Sequence, residues 1–173
     1  MRIIKKKCIK SNRLILKQLQ EEDLDSLIDI LKNEEVTRTF MVPTLNDEKM
    51  ISLAKKIIAY SDILDDSHFE YGIYLNNKLI GFINDCGITE DEIEIGYVIH
   101  PLYHNKGYAT EAVSLAFEEL KEMGFKKVIA GYFSSNISSL RVMEKCGMKK
   151  ISCENEIEYR GKTHKCLYCS IEF

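Results

Sequence analysis

The sequence lacks the features that mark membrane, secreted or nucleic-acid-binding proteins. No apolar run approaches the ~18 residues that a membrane-spanning helix requires, and the first ten residues hold a basic cluster, Lys5–Lys7, without the apolar core of a secretion signal. The 24 basic residues do not outnumber the 27 acidic ones, which argues against a partner held mainly through phosphates. We therefore expect a cytoplasmic protein without a membrane or nucleic-acid partner.

Proline and low-complexity sequence are also scarce. The 173 residues include two prolines, with no internal repeat and no linker-like segment. A 45% apolar and 29% charged composition is enough to build one sizeable core and excludes disorder. The sequence therefore predicts one domain over residues 1–173.

Six cysteines are present, but nothing indicates an oxidising compartment, so we expect reduced thiols. One close pair, Cys166 and Cys169, raises the alternative of a zinc or redox site. Their segment alternates like a strand, however, and residues three apart in a strand point to opposite faces. We therefore expect no metal site.

The spacing of apolar residues predicts a mixed α/β fold. Seven strands are predicted, over residues 13–16, 69–75, 79–83, 93–99, 127–132, 149–159 and 164–173. Four helices are predicted, over residues 24–31, 50–58, 109–120 and 140–146. Asn76-Asn77 predicts a hairpin turn, Asn46 or Asp47 a helix start, and Gly124 a helix end.

The segment from His100 to Glu111 lies between a predicted strand and the strongest predicted helix. Free backbone N–H groups and the positive end of the helix dipole make such a place suitable for an anion such as a pyrophosphate. Gly107 and Ala109 are small enough to let a ligand approach the backbone. The segment has neither a Walker nor a GxGxxG pattern, and an ordinary strand-to-helix turn is the alternative.

Two longer stretches resemble a known family. Glu94–Ala112 resembles the acetyl-CoA motif of the GNAT acetyltransferases, and Asn136–Gly147 resembles their second motif. The opening, Asn12–Lys17 with Glu22–Leu24, is typical of the branch that includes the ribosomal-protein N-terminal acetyltransferases (RimJ/RimL). The resemblance implies a GNAT fold: a central, mostly antiparallel seven-stranded sheet with about four helices, splayed at the acetyl-CoA site.

The resemblance also implies which residues hold the cosubstrate, acetyl-CoA. Its pyrophosphate is expected on the backbone of His104, Asn105, Lys106, Gly107, Tyr108 and Ala109. Pantetheine is expected to pair with Val98 and Ile99, with a backbone N–H near Val98 stabilising the oxyanion. The Asn136 side chain is expected to contact the cosubstrate, or to cap the helix that follows, or both. His104 stands where Arg or Gln is usual, which removes one side-chain contact.

Acyl transfer to an amine needs a neutral amine, and therefore a base. Glu94 is the candidate, on the strand face opposite Ile93 and Ile95; a solvated carboxylate is the alternative. Met143 stands where many relatives have a tyrosine acid, and methionine cannot donate a proton. Ser139 is the substitute acid or thiolate hydrogen-bond donor, with a packing serine as its alternative.

Three tyrosines remain further candidates for the acid, namely Tyr97, Tyr108 and Tyr132. The resemblance implies an acetyl-CoA-dependent N-acetyltransferase that acts by direct transfer to a primary amine. The acceptor would be a protein or peptide N-terminus or a small molecule, and the enzyme a monomer or homodimer. The alternative is a non-catalytic acyl-CoA-binding domain of the same fold.

Overall fold

The computed structural model describes residues 2–173 and shows one eight-stranded sheet. Its strands are β1 (Cys8–Lys10), β2 (Leu14–Lys17), β3 (Tyr71–Leu75), β4 (Lys78–Ile88), β5 (Glu92–Ile99), β6 (Lys127–Phe133), β7 (Lys149–Tyr159) and β8 (Lys162–Glu172). The helices are α1 (Leu24–Lys32), α2 (Glu34–Thr37), α3 (Asp47–Ser61), α4 (Tyr108–Met123) and α5 (Ile137–Lys145). No helix between residues 2 and 173 is both long and apolar enough to cross a membrane.

The seven predicted strands and four predicted helices are all present, and β1 and α2 are additional. β1 buries only Ile9, and α2 has four residues, so neither is long enough to produce a recognisable apolar period. The helix α5 begins earlier than predicted because Asn136 caps it, its Oδ1 accepting the Ser139 N–H at 3.2 Å. The fold class is therefore confirmed, with eight strands instead of seven.

The local signals for turns and helix ends are also confirmed. Asn76 and Asn77 form the β3–β4 turn with φ angles of 47° and 64°, the left-handed region that asparagine tolerates well. Asn46 caps α3 by accepting the Lys49 N–H at 2.9 Å, and Gly124 ends α4 at a φ of 100°.

Helices cover both faces of the sheet. On one face α4 packs Ala112, Ala116 and Leu120 against strand residues such as Ile73 and Ile95. On the other face α1 and α3 pack against β3, β4 and β5; the buried side chains there include Leu27, Ile30, Met50, Ala54, Tyr74, Phe82 and Val98. Burial of each large apolar side chain contributes about 1.5–3 kcal/mol, so the two clusters supply most of the drive to fold.

The strands β5 and β6 separate along their length, as the resemblance implied. The strand order is β1-β2-β3-β4-β5-β6-β8-β7, and β5–β6 is the parallel contact in an otherwise antiparallel sheet. Their register runs from Glu92↔Lys127 to Glu94↔Ile129 and stops there. Beyond that point β5 continues beside β4 to Ile99, and β6 continues beside β8 to Phe133. A wedge-shaped opening results, which we call the splay.

Candidate functional site

A cavity of about 350 Å³ occupies the splay. Its walls come from the end of β5, the turn into α4, β6, the start of α5 and the segment around α2. This volume lies in the range of small-molecule binding sites. Strand divergence therefore produces a concave site large enough for a small-molecule ligand.

The turn into α4 presents backbone N–H groups to this cavity. Gly107 precedes the helix with a φ of 80°, in the left-handed region that glycine adopts without strain. The first residues of α4, Tyr108 and Ala109, line the cavity, and the first N–H groups of a helix have no acceptor within it. The cavity thus ends at a site suited to a phosphate.

Five of the six predicted pyrophosphate residues line the cavity: His104, Asn105, Gly107, Tyr108 and Ala109. Lys106 is not among the lining residues, and its carbonyl oxygen accepts a hydrogen bond from Arg13 at 2.9 Å. The His104 side chain is also engaged elsewhere, with its Nε2 atom 2.7 Å from the Ile99 carbonyl oxygen. This imidazole therefore holds the turn against the end of β5, a role that its residue type did not predict.

Arg13 and Glu111 fix this turn from outside. The Arg13 Nε atom donates to Glu111 Oε2 at 2.7 Å, and the guanidinium lies 4.5 Å from the centre of the Tyr108 ring. Ser11 donates to Glu111 Oε1 at 2.7 Å. Burial raises the pKa of Glu111, but the hydrogen bonds from Ser11 and Arg13 outweigh it and leave that pKa below its usual value. A charge-assisted network therefore orders the proposed phosphate turn.

The backbone of β5 supplies N–H groups on its open side. The His100 N–H donates to the Ile80 carbonyl oxygen at 2.7 Å, and hydrogen-bonded pairs alternate in an antiparallel ladder. The next such pair is Val98 with Phe82, so the amide of Val98 faces β4. The amides of Tyr97 and Ile99 face the splay instead. The N–H group expected near Val98 would therefore be that of Tyr97 or Ile99, and Val98 itself lines the cavity.

Glu94 forms the last β5–β6 pair before the strands separate. It lies half-buried on the face of Gly96 and Val98, but it is not one of the residues that line the cavity. Burial raises the pKa of its carboxyl group. The structure thus places a carboxylate of increased basicity at the narrow end of the splay, outside the cavity wall.

Tyr97 and Ser139 meet on the cavity wall. The Tyr97 hydroxyl donates to the Ser139 carbonyl oxygen at 3.1 Å, and its oxygen is 2.9 Å from Ser139 Oγ. Burial raises the pKa of Tyr97, so this phenol stays protonated at neutral pH. Met143 is fully buried in the core and does not line the cavity. Tyr97 is therefore the proton donor best placed to assist Ser139.

The remaining predicted residue, Asn136, lines the cavity and also caps α5. Two basic residues that sequence reasoning did not assign, Arg141 and Lys145, line the cavity from α5. Their spacing of four residues puts them on one helix face, and this spacing could have identified them. They give the cavity local positive charge in a chain with a net charge of -3.

The tip of the β7–β8 hairpin closes over the segment that follows α2. The Tyr159 hydroxyl donates to the Thr37 carbonyl oxygen at 2.6 Å and accepts from the Val42 N–H at 3.2 Å. Arg160 donates to the Val42 carbonyl oxygen at 3.2 Å. Phe40, from the segment held in this way, lines the cavity. Two elements distant in sequence therefore form one rim of the site.

An opening between two parallel strands that ends at a helix N-terminus is suited to a long ligand that carries a phosphate, such as a coenzyme A thioester. The chain belongs to the GNAT family, because the model of the acetyltransferase (GNAT) domain matches residues 13–149. It is an acetyltransferase, and acetyl-CoA is its cosubstrate.

Relatives and solved structures extend this assignment over nearly the whole chain. The N-acetyltransferase YoaA of Bacillus subtilis is 26% identical over 161 residues, which cover 90% of each chain. A GNAT-family acetyltransferase from Bacillus anthracis is 25% identical, with a TM-score of 0.80 over 95% of this chain and 98% of its own. The RimL ribosomal L7/L12 alpha-N-protein acetyltransferase, solved with coenzyme A, has a TM-score of 0.82 over 98% of both chains at 15% identity.

Proposed function

We propose that this enzyme transfers the acetyl group of acetyl-CoA directly to a primary amine. The observation that supports the proposal is the arrangement of the splay, with free helix N–H groups at one end and Glu94 at the other. Acetyl-CoA supplies an activated thioester. The residues around the splay bind it, stabilise developing charge and move two protons.

Binding is assigned to the turn into α4 and to β5. The amides around His104, Asn105, Gly107, Tyr108 and Ala109 hold the pyrophosphate, and Asn136, Arg141 and Lys145 face the same cavity. Lys106 contributes to pyrophosphate binding through its backbone, as part of the same turn. The open edge of β5, at Ile99 and beside Val98, pairs with the pantetheine arm.

The chemical step needs a neutral amine, a stabilised oxyanion and a protonated leaving thiol. Glu94 removes a proton from the acceptor amine, directly or through water. An amide of β5 that faces the splay, that of Tyr97 or Ile99, stabilises the oxyanion, and such a donor contributes about 3 kcal/mol. The Tyr97–Ser139 pair donates to the departing sulfur as the C–S bond breaks and the C–N bond forms.

As the acceptor we propose the N-terminal α-amine of a protein or peptide. It is supported by the structural neighbour RimL, a ribosomal L7/L12 alpha-N-protein acetyltransferase. A small-molecule amine is the second candidate. The acceptor would enter beside the rim formed by Phe40 and Tyr159, because this rim borders the cavity away from the phosphate turn.

We also propose a single cytoplasmic domain over residues 1–173, working as a monomer or homodimer. The sheet supports one domain because it contains strands from both ends of the chain. Six unpaired cysteines support a reducing compartment.

Two experiments test the proposed function. Calorimetric titration with acetyl-CoA should show saturable micromolar binding that weakens strongly with a truncated coenzyme A lacking the pyrophosphate. Thiol release should then be measured with a peptide bearing a free N-terminus and with its N-acetylated twin. Release with the free peptide alone supports the proposal. Binding without thiol release against any amine would contradict it and favour an acyl-CoA-binding module.

A further inference from the structure

A cluster of three polar side chains lies near the start of β3, outside the acetyl-CoA cavity. One nitrogen of His68 and one carboxylate oxygen each from Glu70 and Asp85 lie within 4.8 Å of one another. The distance from His68 Nδ1 to Asp85 Oδ1 is 3.5 Å. An imidazole and two carboxyl groups therefore lie together here, although the two carboxyl groups repel each other when both are ionised.

The cluster contains buried atoms without partners. Glu70 is 6% exposed, and its Oε2 atom is buried with no hydrogen-bond partner among residues 2–173. The Nδ1 atom of His68 is also buried and without a partner in that range. Buried acceptors of this kind are rare because leaving them unpaired costs free energy. A bound group that accepts their lone pairs would satisfy both.

The nearest lysine does not fill this role. Lys5 is buried, but its Nζ atom donates to the backbone carbonyl oxygens of Ser61 at 3.1 Å and of Glu70 at 2.8 Å. Lys56 is exposed, with its Nζ 5.4 Å from the centre of the Tyr60 ring. Within residues 2–173 neither lysine forms an ion pair with Glu70 or Asp85. Among residues 2–173, therefore, no lysine or arginine pairs with the two carboxylates, and the neighbouring base is His68, which pairs with Asp85 when protonated.

Other contacts already hold two of the three side chains, those of Asp85 and His68, in place. Asp85 Oδ1 accepts the Phe69 N–H at 2.7 Å, and the Tyr60 ring stacks on His68 with centres 4.0 Å apart. Glu70 also lines a second cavity, of about 240 Å³, between α3 and the sheet. Of the three residues only Glu70 lines that cavity, which has room for a water molecule beside the Glu70 carboxyl group. Supporting hydrogen bonds and an open position are typical of protein metal sites.

We propose that His68, Glu70 and Asp85 bind a Zn²⁺ ion. One imidazole and two carboxylates form a donor set that zinc accepts, with water as the fourth ligand. Zinc bonds of about 2.0–2.2 Å require ligand atoms roughly 3.3 Å apart. The His68 and Asp85 atoms already lie near this separation. The Glu70 carboxyl group would move towards them when the ion binds. The ion would join the segment before β3 to β4. The expectation of no metal site rested on the cysteine pair, whereas His68, Glu70 and Asp85 come together only in the fold.

Zinc binding is tested on the full-length protein with its thiols alkylated, because six free cysteines would compete for the metal. A competition titration against a chromophoric chelator should give one Zn²⁺ per chain. The melting temperature should rise by about 5–10 °C when zinc is present at roughly 100 times its Kd.

The variants Glu70→Gln and Asp85→Asn should each weaken zinc binding at least about tenfold, because each removes a charged ligand. Both retain side-chain shape, and circular dichroism checks their folding. Glu90→Gln, in an exposed loop, is the matched control and should bind zinc like the parent protein. No zinc binding after alkylation would overturn the proposal. So would a folded Glu70→Gln variant that binds as tightly as the parent.

Discussion

At the scale of single residues, the position of Glu94 gives a test of the base. Burial raises the pKa of its carboxyl group, so the ionised fraction decreases as the pH falls through that raised value. We expect Glu94→Gln to lower kcat about 10²–10⁴-fold at neutral pH, the usual contribution of a general base. The loss should be smaller at high pH, where the amine loses its proton to solvent.

The measurement is the pH dependence of kcat/KM for the parent protein and for Glu94→Gln. The parent should lose activity on the acid side, and the variant should lack that limb. Glu90→Gln serves as control, because it removes a nearby carboxylate from an exposed loop. An unchanged pH–rate profile in Glu94→Gln would exclude this carboxylate as the base.

The Tyr97–Ser139 pair gives a second prediction at this scale. Because the pKa of Tyr97 is raised by burial, its hydroxyl remains a donor throughout the neutral range. Tyr97→Phe should therefore reduce kcat by about tenfold or more with little change in the KM for acetyl-CoA. Ser139→Ala should have a smaller effect, since the phenol can still donate to the sulfur. A larger loss of kcat in Ser139→Ala than in Tyr97→Phe would show that Ser139, and not Tyr97, is the main donor to the sulfur.

At the scale of elements, Arg13 and Glu111 connect the segment before β2 to the first turn of α4. Arg13→Ala should raise the Kd for acetyl-CoA about tenfold, since it removes charge-assisted bonds that order the phosphate turn. Calorimetry measures this change, with Lys10→Ala, an exposed residue of β1, as control. Equal affinities in Arg13→Ala and the parent would show that the turn is ordered without the arginine.

The same pair predicts a pH dependence of stability. The pKa of Glu111 is lowered in the folded protein, so its stabilising contribution is full above the unfolded pKa of about 4.3 and is lost as the pH falls through the folded value. Thermal melts should therefore show Glu111→Gln less stable than the parent at neutral pH. The difference should shrink in acid. A difference that is constant from neutral to acid pH would contradict this linkage.

Sequence patterns predicted the long elements and the phosphate turn, because periodicity and helix-end chemistry are local. They missed β1 and α2, whose few residues leave no period. They predicted an oxyanion donor near Val98 without choosing the amide, since the direction of each amide depends on its register with β4. Arg141 and Lys145 join the site only when α5 faces β5 across the splay.

At the scale of the whole molecule, the splay leaves the amides of Tyr97 and Ile99 without a partner strand. We expect these amides to exchange with deuterium rapidly in the free protein and slowly with acetyl-CoA bound. The amide of Val98 faces β4 and should be protected in both states. Hydrogen exchange followed by NMR distinguishes the three positions. Protection of Val98 alone by the cosubstrate would mean that the register assignment is wrong.

Only three residue pairs join β5 to β6, so the sheet consists of two halves that share a short seam. One half carries β1–β5, and the other carries β6, β8 and β7 with α5 beside them. A ligand that lies along β5 and touches α5 would serve as an extra strand between the halves. Without it, the strand ladder joins the halves along this seam, while the buried core beneath α4 continues from one half to the other. A cosubstrate that binds more tightly would then also hold the two halves of the sheet together more strongly.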